Sequence, residues 1–146
     1  MRISKNYTME EFAVSKDFPN LVEPVPEVYQ QNVIDLVTNL LQPVNDATGW
    51  KNLITSGYRP NKLNKAVGGS LTSDHRFGRA SDNNFYKEEN GKIVYISSYD
   101  VANTVLKLKL KFDQMILYPD FVHLSYRKNK NRNQVLYSKN YKGKRL

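Results

Sequence analysis

Between Pro26 and Pro43 apolar residues recur at Val28, Val33, Leu36, Val37, Leu40 and Leu41, the spacing of one helical face about two residues wide. The pattern predicts a helix buried along that stripe. Pro43 interrupts or ends it, since proline offers no N–H and its ring crowds the preceding turn. Upstream, Thr8 followed three residues later by Glu11 is a capping box, which predicts a short helix at the start of the chain. Phe18-Pro19-Asn20 and Pro24-Val25-Pro26 keep the stretch between irregular. Downstream the period falls towards two. Trp50–Tyr58 and Arg79–Tyr86 read as strands, the second containing Asp82, and Asn90-Gly91 is a hairpin turn into Lys92–Ile96. Asn61–Val67 is a candidate short helix, and Ser98 or Asp100 can cap a helix from Val101 towards Lys109. Phe112–Tyr118 and Phe121–Tyr126 are strand-like, with Gln134–Tyr137 a candidate for one more. Helices gathered early and strands later imply α+β: a single domain over residues 1–146, with N-terminal helices packed on a small, largely antiparallel sheet.

Composition narrows what such a domain can do. With 146 residues the chain fits one hydrophobic core. It has no cysteine, which excludes disulfides and thiolate metal ligands. No apolar run approaches the roughly 20 residues that cross a bilayer, and no hydrophobic region follows the N-terminal charges. The expectation is synthesis in the cytoplasm without a signal peptide, with any external target reached through another agent. Charge is unevenly placed. Of 22 Lys and Arg, eight fall between Arg127 and Leu146, where there is no acid. The other 14 balance the 14 Asp and Glu of residues 1–126, so the whole excess of +8 lies in the last twenty residues. Such a stretch suits a polyanion (nucleic acid, anionic wall polymer or membrane surface) or is a solvated, partly disordered end.

The candidate chemistry lies around the only two histidines. His75 sits in Ser73-Asp74-His75, seven residues before Asp82, in a stretch that holds four of the seven glycines: Gly57, Gly68, Gly69 and Gly78. His123 follows Pro119-Asp120-Phe121-Val122. Two imidazoles and a carboxylate, with a fourth position left for water, are what a catalytic zinc site needs. On a strand His123 shares a face with Phe121 and Ser125, opposite Val122, Leu124 and Tyr126. Asp120 follows a proline that permits a bend, so it can turn towards the site and act as general base and then general acid. Arg59 can pair with a substrate carboxylate or stabilise an oxyanion through its fixed fork of donors. Each residue also has a plainer reading: Asp82 and Asp120 as turn or cap residues, Arg59 as a surface charge. Forty-one residues separate Asp82 from His123, and spacing alone leaves both readings open.

The ordered set Ser56-Gly57-Tyr58-Arg59, Asn64 to Ser70, Ser73-x-His75, Gly78-x-Ala80-x-Asp82 and Val122-His123-Leu124-Ser125 resembles the zinc D-Ala-D-Ala carboxypeptidase-like peptidases of family M15, which have the hedgehog/DD-peptidase fold. Thr8-Met9-Glu10-Glu11-Phe12, Leu41-Gln42-Pro43-Val44 and Phe112 to Ile116 look like the flanking blocks of its small, single-domain branch common in bacteriophages and prophages. The resemblance covers nearly all of the chain up to Tyr126 and leaves the basic segment 127–146 outside. It implies that His75, Asp82 and His123 bind one zinc ion and that Asp120 is the catalytic base. It also implies that Arg59 stabilises the substrate carbonyl or carboxylate and that Ser73 lines the substrate site. Three positions depart from the family pattern: Phe121 where many members have Trp, Asp74 where an uncharged residue such as Gln is usual, and Asp120 in place of Glu.

The resemblance implies a zinc metallopeptidase that hydrolyses an amide bond in the peptide stem of bacterial peptidoglycan. D-Ala-D-Ala carboxypeptidase and L-Ala-D-Glu-type endopeptidase activities are both open, in a phage or prophage lysis or infection enzyme. The basic segment is then a candidate contact for anionic wall polymers. Two rivals stand beside this reading. A non-catalytic zinc-binding virion or wall-binding module on the same fold would have no use for an unliganded Asp120. Nucleic-acid binding by the basic segment with Tyr137 and Tyr141 leaves His75, Asp82 and His123 unexplained.

Overall fold

A computed structural model describes the whole chain, Met1–Leu146. Two short strands, β1 (Arg2–Ser4) and β2 (Tyr7–Thr8), pair antiparallel at the N-terminus. The capping box then forms as the sequence requires: the Glu11 carboxylate accepts from the Thr8 backbone N–H at 2.9 Å and opens a single 3-10 turn, Met9–Phe12.

The long apolar stripe gives one continuous helical rod with a change of pitch. Helix α1 (Glu27–Leu36) passes through a π-helical turn, Val37–Leu41, into α2 (Gln42–Thr48). Pro43 therefore does not end the helix. The Gln42 N–H bonds back to the Val37 carbonyl, five residues away, and this wider turn makes room for a ring that has no N–H to offer. Val33, Leu36, Val37, Leu40, Leu41 and Val44 are buried, each side chain contributing about 1.5–3 kcal/mol by leaving water. Val28 does not join them and is 76% exposed. It lies five residues before Val33, about 140° around a helix that turns 100° per residue.

The sheet follows: β3 (Lys51–Ser56), β4 (Ala80–Glu89), β5 (Lys92–Tyr95), β6 (Gln114–Leu117), β7 (Val122–Ser125) and β8 (Gln134–Tyr137), with α3 (Asn61–Ala66) and α4 (Ser98–Lys107) in the connections. Its order is β3-β4-β7-β6-β8, and β5 pairs with the distal half of β4 through the Asn90-Gly91 turn. All pairings are antiparallel except β6 with β8. The fold is α+β. No helix is long and apolar enough to cross a membrane.

Helix α4 starts at Ser98, three residues before the expected Val101. Ser97 caps it, its Oγ accepting from the Asp100 N–H at 3.1 Å. Ser98 is thereby free to bond elsewhere, and its hydroxyl reaches the carbonyls of Tyr118 and Phe121 at 2.7 and 2.8 Å, fixing the turn between β6 and β7. Period-two alternation then divides the sheet into two faces. Phe85, Met115, Leu117, Val122 and Leu124 join the helices in the core. Asp82, His123 and Ile116 form a row across the opposite face, paired Asp82 with His123 and His123 with Ile116. The basic segment is part of this architecture: β8 lies along β6, and Tyr141 belongs to the buried core.

Candidate metal centre

Asp82 and His123 reach the same point because their strands are neighbours in register. His75 comes from a 3-10 turn, Asp74–Phe77, between α3 and β4. Ser73 caps that turn, its Oγ accepting from the His75 N–H at 3.3 Å. The imidazole is fixed from behind, its Nδ1 lying 2.8 Å from the Gly57 carbonyl. Nδ1 must donate there, so Nε2 is left with a bare lone pair facing the other two residues. That carbonyl can stand so close because residue 57 has no side chain: a Cβ there would meet the Phe12 carbonyl oxygen at 2.3 Å.

Three ligand atoms converge. His75 Nε2 lies 3.2 Å from His123 Nδ1 and 3.3 Å from Asp82 Oδ1, and the last two are 3.0 Å apart. Burial opposes protonation of His75, lowering its pKa, while the Asp82 charge resists that shift. Burial alone would raise the Asp82 carboxyl. The imidazoles of His75 and His123, through charge and hydrogen bonds, outweigh it and hold the carboxyl far below its usual range. An ionised Asp82 oxygen therefore stands beside His75 Nε2, whose protonation burial opposes. Two imidazoles and a carboxylate cannot all satisfy one another's lone pairs with the single proton available between them, whereas a cation satisfies all three at once. A tetrahedral ion with ligands at about 2.0 Å has ligand–ligand separations of about 3.3 Å, close to the triangle observed. His75, Asp82 and His123 thus form a group able to hold a metal ion.

A family model described as Peptidase M15 matches residues 6–125. The chain belongs to the M15 peptidase family. A search of curated proteins found no match. In this M15 peptidase the group able to hold a metal ion lines a cavity of about 410 Å³.

Arg59 and Ser73 line that cavity with the three candidate ligands. Arg59 Nη1 donates to Asn64 Oδ1 at 3.3 Å, and its backbone N–H donates to the His75 carbonyl at 2.9 Å. Burial lowers the Arg59 pKa, against the opposing influence of Asp82 and Tyr118. Gly69 packs against this clamp, where a Cβ would come within 2.1 Å of Asn64 Oδ1. Asp120 stands apart. It is exposed in the β6–β7 turn and lines an adjoining cavity of about 230 Å³, to which Arg59 and Asp82 also belong. Asp82 and Arg59 are thus shared walls between Asp120 and the metal group.

Sequence reasoning missed several wall residues of the M15 peptidase. Gln114, Ile116 and Tyr118 form one wall because they alternate along β6 and continue into its turn. Only the register between β6 and β7 could have brought them to His123. Tyr118 is stacked on Phe121 at 4.2 Å, and burial raises its pKa, with the Asp82 charge adding to the shift. In the sequence Arg127 and Arg132 are merely two charges of a basic end, yet both line the cavity. The signal for them was Asp74, an acid one residue before His75 that needs a cationic partner when buried. Its buried carboxylate accepts from Arg127 Nη2 at 2.9 Å.

Proposed function

We propose that this M15 peptidase is zinc-dependent and hydrolyses an amide bond in the peptide stem of bacterial peptidoglycan. The observation that carries the reading is the triangle of His75 Nε2, Asp82 Oδ1 and His123 Nδ1, with sides of 3.0 to 3.3 Å, open to a cavity lined by Arg59. Donors of nitrogen and carboxylate oxygen, without thiolate, suit zinc in a catalytic setting. When bound, zinc supplies Lewis acidity, polarising a carbonyl and making water acidic enough to ionise near neutral pH. The residues of the chain do the rest. Gly57 holds His75 in the ligating tautomer. Asp82 accepts at the metal position and stays ionised. Arg59, clamped by Asn64, binds the substrate carbonyl or a stem carboxylate and stabilises negative charge as it develops. Ser73 lines the substrate site. Asp120, on a turn pinned by Ser98, takes the proton from water and returns it to the leaving amine. A base on an exposed turn is compatible with that role, because catalytic hydrogen bonds often tighten only in the substrate complex.

The cell wall is the site of action, reached as part of phage or prophage lysis or infection. The basic residues Lys139, Lys142 and Lys144 favour anionic wall polymers through long-range attraction. Changing these three to Gln should weaken sedimentation with purified walls at low salt while leaving soluble stem peptides cleaved normally; unchanged sedimentation removes the wall-polymer contact. The deciding experiment for the activity is mass spectrometry of fragments released from purified peptidoglycan, with and without a chelator. Release of stem fragments that stops on chelation and returns with zinc supports the proposal. Zinc binding without fragment release, or release indifferent to chelation, refutes it, and the former outcome leaves a non-catalytic wall-binding module.

A further inference from the structure

The cavity carries guanidinium groups on two sides of the metal group, Arg59 on one and Arg127 with Arg132 on the other. Its β6 wall runs Gln114, Ile116, Tyr118, about 13 Å at the rise of a strand. Ile116, at the middle, pairs with His123. Arg59 belongs to the Tyr118 end, since it also lines the adjoining cavity with Asp120 and Phe121 of the following turn. Arg132 and Arg127 belong to the Gln114 end, held by Asp113, the residue before Gln114. About 7 Å of strand therefore separates the metal group from each end.

The second end is built rather than incidental. Asp113, which is fully buried, accepts from Arg132 Nε at 3.0 Å and Nη2 at 2.9 Å, and also from its backbone N–H at 3.1 Å. Arg127 Nε lies 3.0 Å from Asp74 Oδ1 and 3.3 Å from Asp113 Oδ2. The intervening loop is tied down as well: Asn131 Oδ1 accepts from the Arg127 N–H at 2.8 Å, and the Asn133 N–H donates to the Phe112 carbonyl at 2.8 Å. Both guanidinium groups are thus fixed through Nε and Nη2, while their Nη1 groups make no hydrogen bond within the protein. Arg132 is 52% and Arg127 33% exposed at the side chain. A guanidinium already held in one orientation loses little further freedom when it meets a planar anion.

We infer that Arg127 and Arg132 form a carboxylate-binding subsite, so that the preferred substrate is a peptide with an acidic group one or two residues from the scissile amide, on the side away from Arg59. The inference rests on the peptidase reading above and deepens it. The subsite is supplied by the segment beyond the matched residues 6–125 together with Asp74, which accepts from Arg127. Residue 74 and the loop 127–132 therefore act as one specificity element. Side-chain spacing supports the stated reach, since an extended peptide advances about 3.3 Å per residue.

The test uses the synthetic stem peptide L-Ala-γ-D-Glu-L-Lys-D-Ala-D-Ala and two forms in which one carboxylate, the D-Glu α-carboxylate or the C-terminal one, is replaced by a carboxamide. For the native zinc-loaded enzyme, one of the two replacements should lower kcat/KM by about tenfold or more, as for one charge-assisted hydrogen bond at a half-exposed site. In Arg132→Gln and Arg127→Gln that ratio should fall towards one, while the effect of the other replacement persists. Arg132→Lys, which keeps Asp113 paired, should lose most of the same discrimination with an unchanged unfolding temperature. A second readout needs no turnover: the Nε–Hε NMR signal of Arg132 in metal-free protein should move on titration with the acidic peptide and not with the relevant carboxamide. Cleavage of all three peptides with equal kcat/KM, or variants that keep the native ratio, overturns the subsite while leaving the peptidase reading intact. An NMR response without any cleavage supports the subsite and refutes the reaction instead.

Discussion

His123 and Asp82 face each other across the β4–β7 pair, with Nδ1 3.0 Å from Oδ1. Neither side chain has to move for a cation to sit between them and His75. Metal analysis of purified protein should therefore find about one ion per chain, as a single three-ligand site requires. His75→Ala and His123→Ala should each lose most of it, and chelation should lower the unfolding temperature of the parent. Full metal retention in both variants would remove the site.

Gly57→Ala is expected to act on the metal through His75. A methyl group at that position collides with the Phe12 backbone, so either the strand end or the Met9–Phe12 turn must shift. The carbonyl that orients His75 Nδ1 then moves with it. Disturbing such an orienting partner typically costs about 10- to 100-fold in metal affinity, and the overpacking itself about 1–3 kcal/mol. Competition with a fluorescent zinc chelator measures the first, and denaturant unfolding of the metal-free protein the second. Native affinity in Gly57→Ala would show that this carbonyl does not set the ligand.

Asp120→Asn should keep the metal content and the fold of the parent, since the side chain is exposed and lies outside the group able to hold a metal. Stem-peptide turnover should fall by the roughly 100- to 10,000-fold that accompanies loss of a general acid–base. Near-native kcat with normal metal content would assign the proton transfer elsewhere.

For Arg59, the informative change is to lysine. The charge survives, but the fork that engages Asn64, and in the proposed reaction the substrate, is gone. The expected result is a loss of kcat/KM of about 100-fold, the size of one lost oxyanion donor, with unchanged zinc content. Equal activity in Arg59→Lys would make residue 59 a bystander.

Asp113 gives a pH dependence separate from the metal. Burial would raise its carboxyl, but the Arg132 hydrogen bonds and the Arg127 charge outweigh burial and lower it. A carboxyl held lower in the folded state than its unfolded value of about 3.9 adds stability that is fully present above that value. It is lost as pH falls through the folded pKa. Thermal unfolding of the parent should thus drop steeply below about pH 4. Asp113→Asn should be less stable by about 2 kcal/mol at neutral pH and show a shallower acid limb. Parallel acid limbs would place the titration on another group.

Local rules in the sequence carried most of the fold. The capping box at Thr8 and Glu11, the helical stripe, the Asn90-Gly91 turn and the alternation along β4 and β7 all appear where short-range patterns put them. Departures came where tertiary structure overrode those patterns. Pro43 continues a helix because a π turn precedes it, which no periodicity reveals. Ser98 is drawn away from capping by two carbonyls of the distant β6–β7 turn. For the site, His75, Asp82, His123 and Arg59 were legible from residue type and motif, and the structure brings them to one cavity. Gln114, Ile116 and Tyr118 were hidden because strand register decides them. The two C-terminal arginines were hidden because a string of positive charges reads alike whether it floats in solvent or grips buried carboxylates.

The parallel pairing of β8 with β6 has a further consequence. Without residues 126–146, β6 would become an edge strand, with the N–H and C=O groups that now meet Gln134–Tyr137 left unpaired. Bare edges of this kind recruit other strands and promote aggregation. The segment beyond the matched residues thus covers β6 and moves the edge of the sheet outward to the short strand β8. A shortened protein would lose solubility before its catalytic competence could be measured.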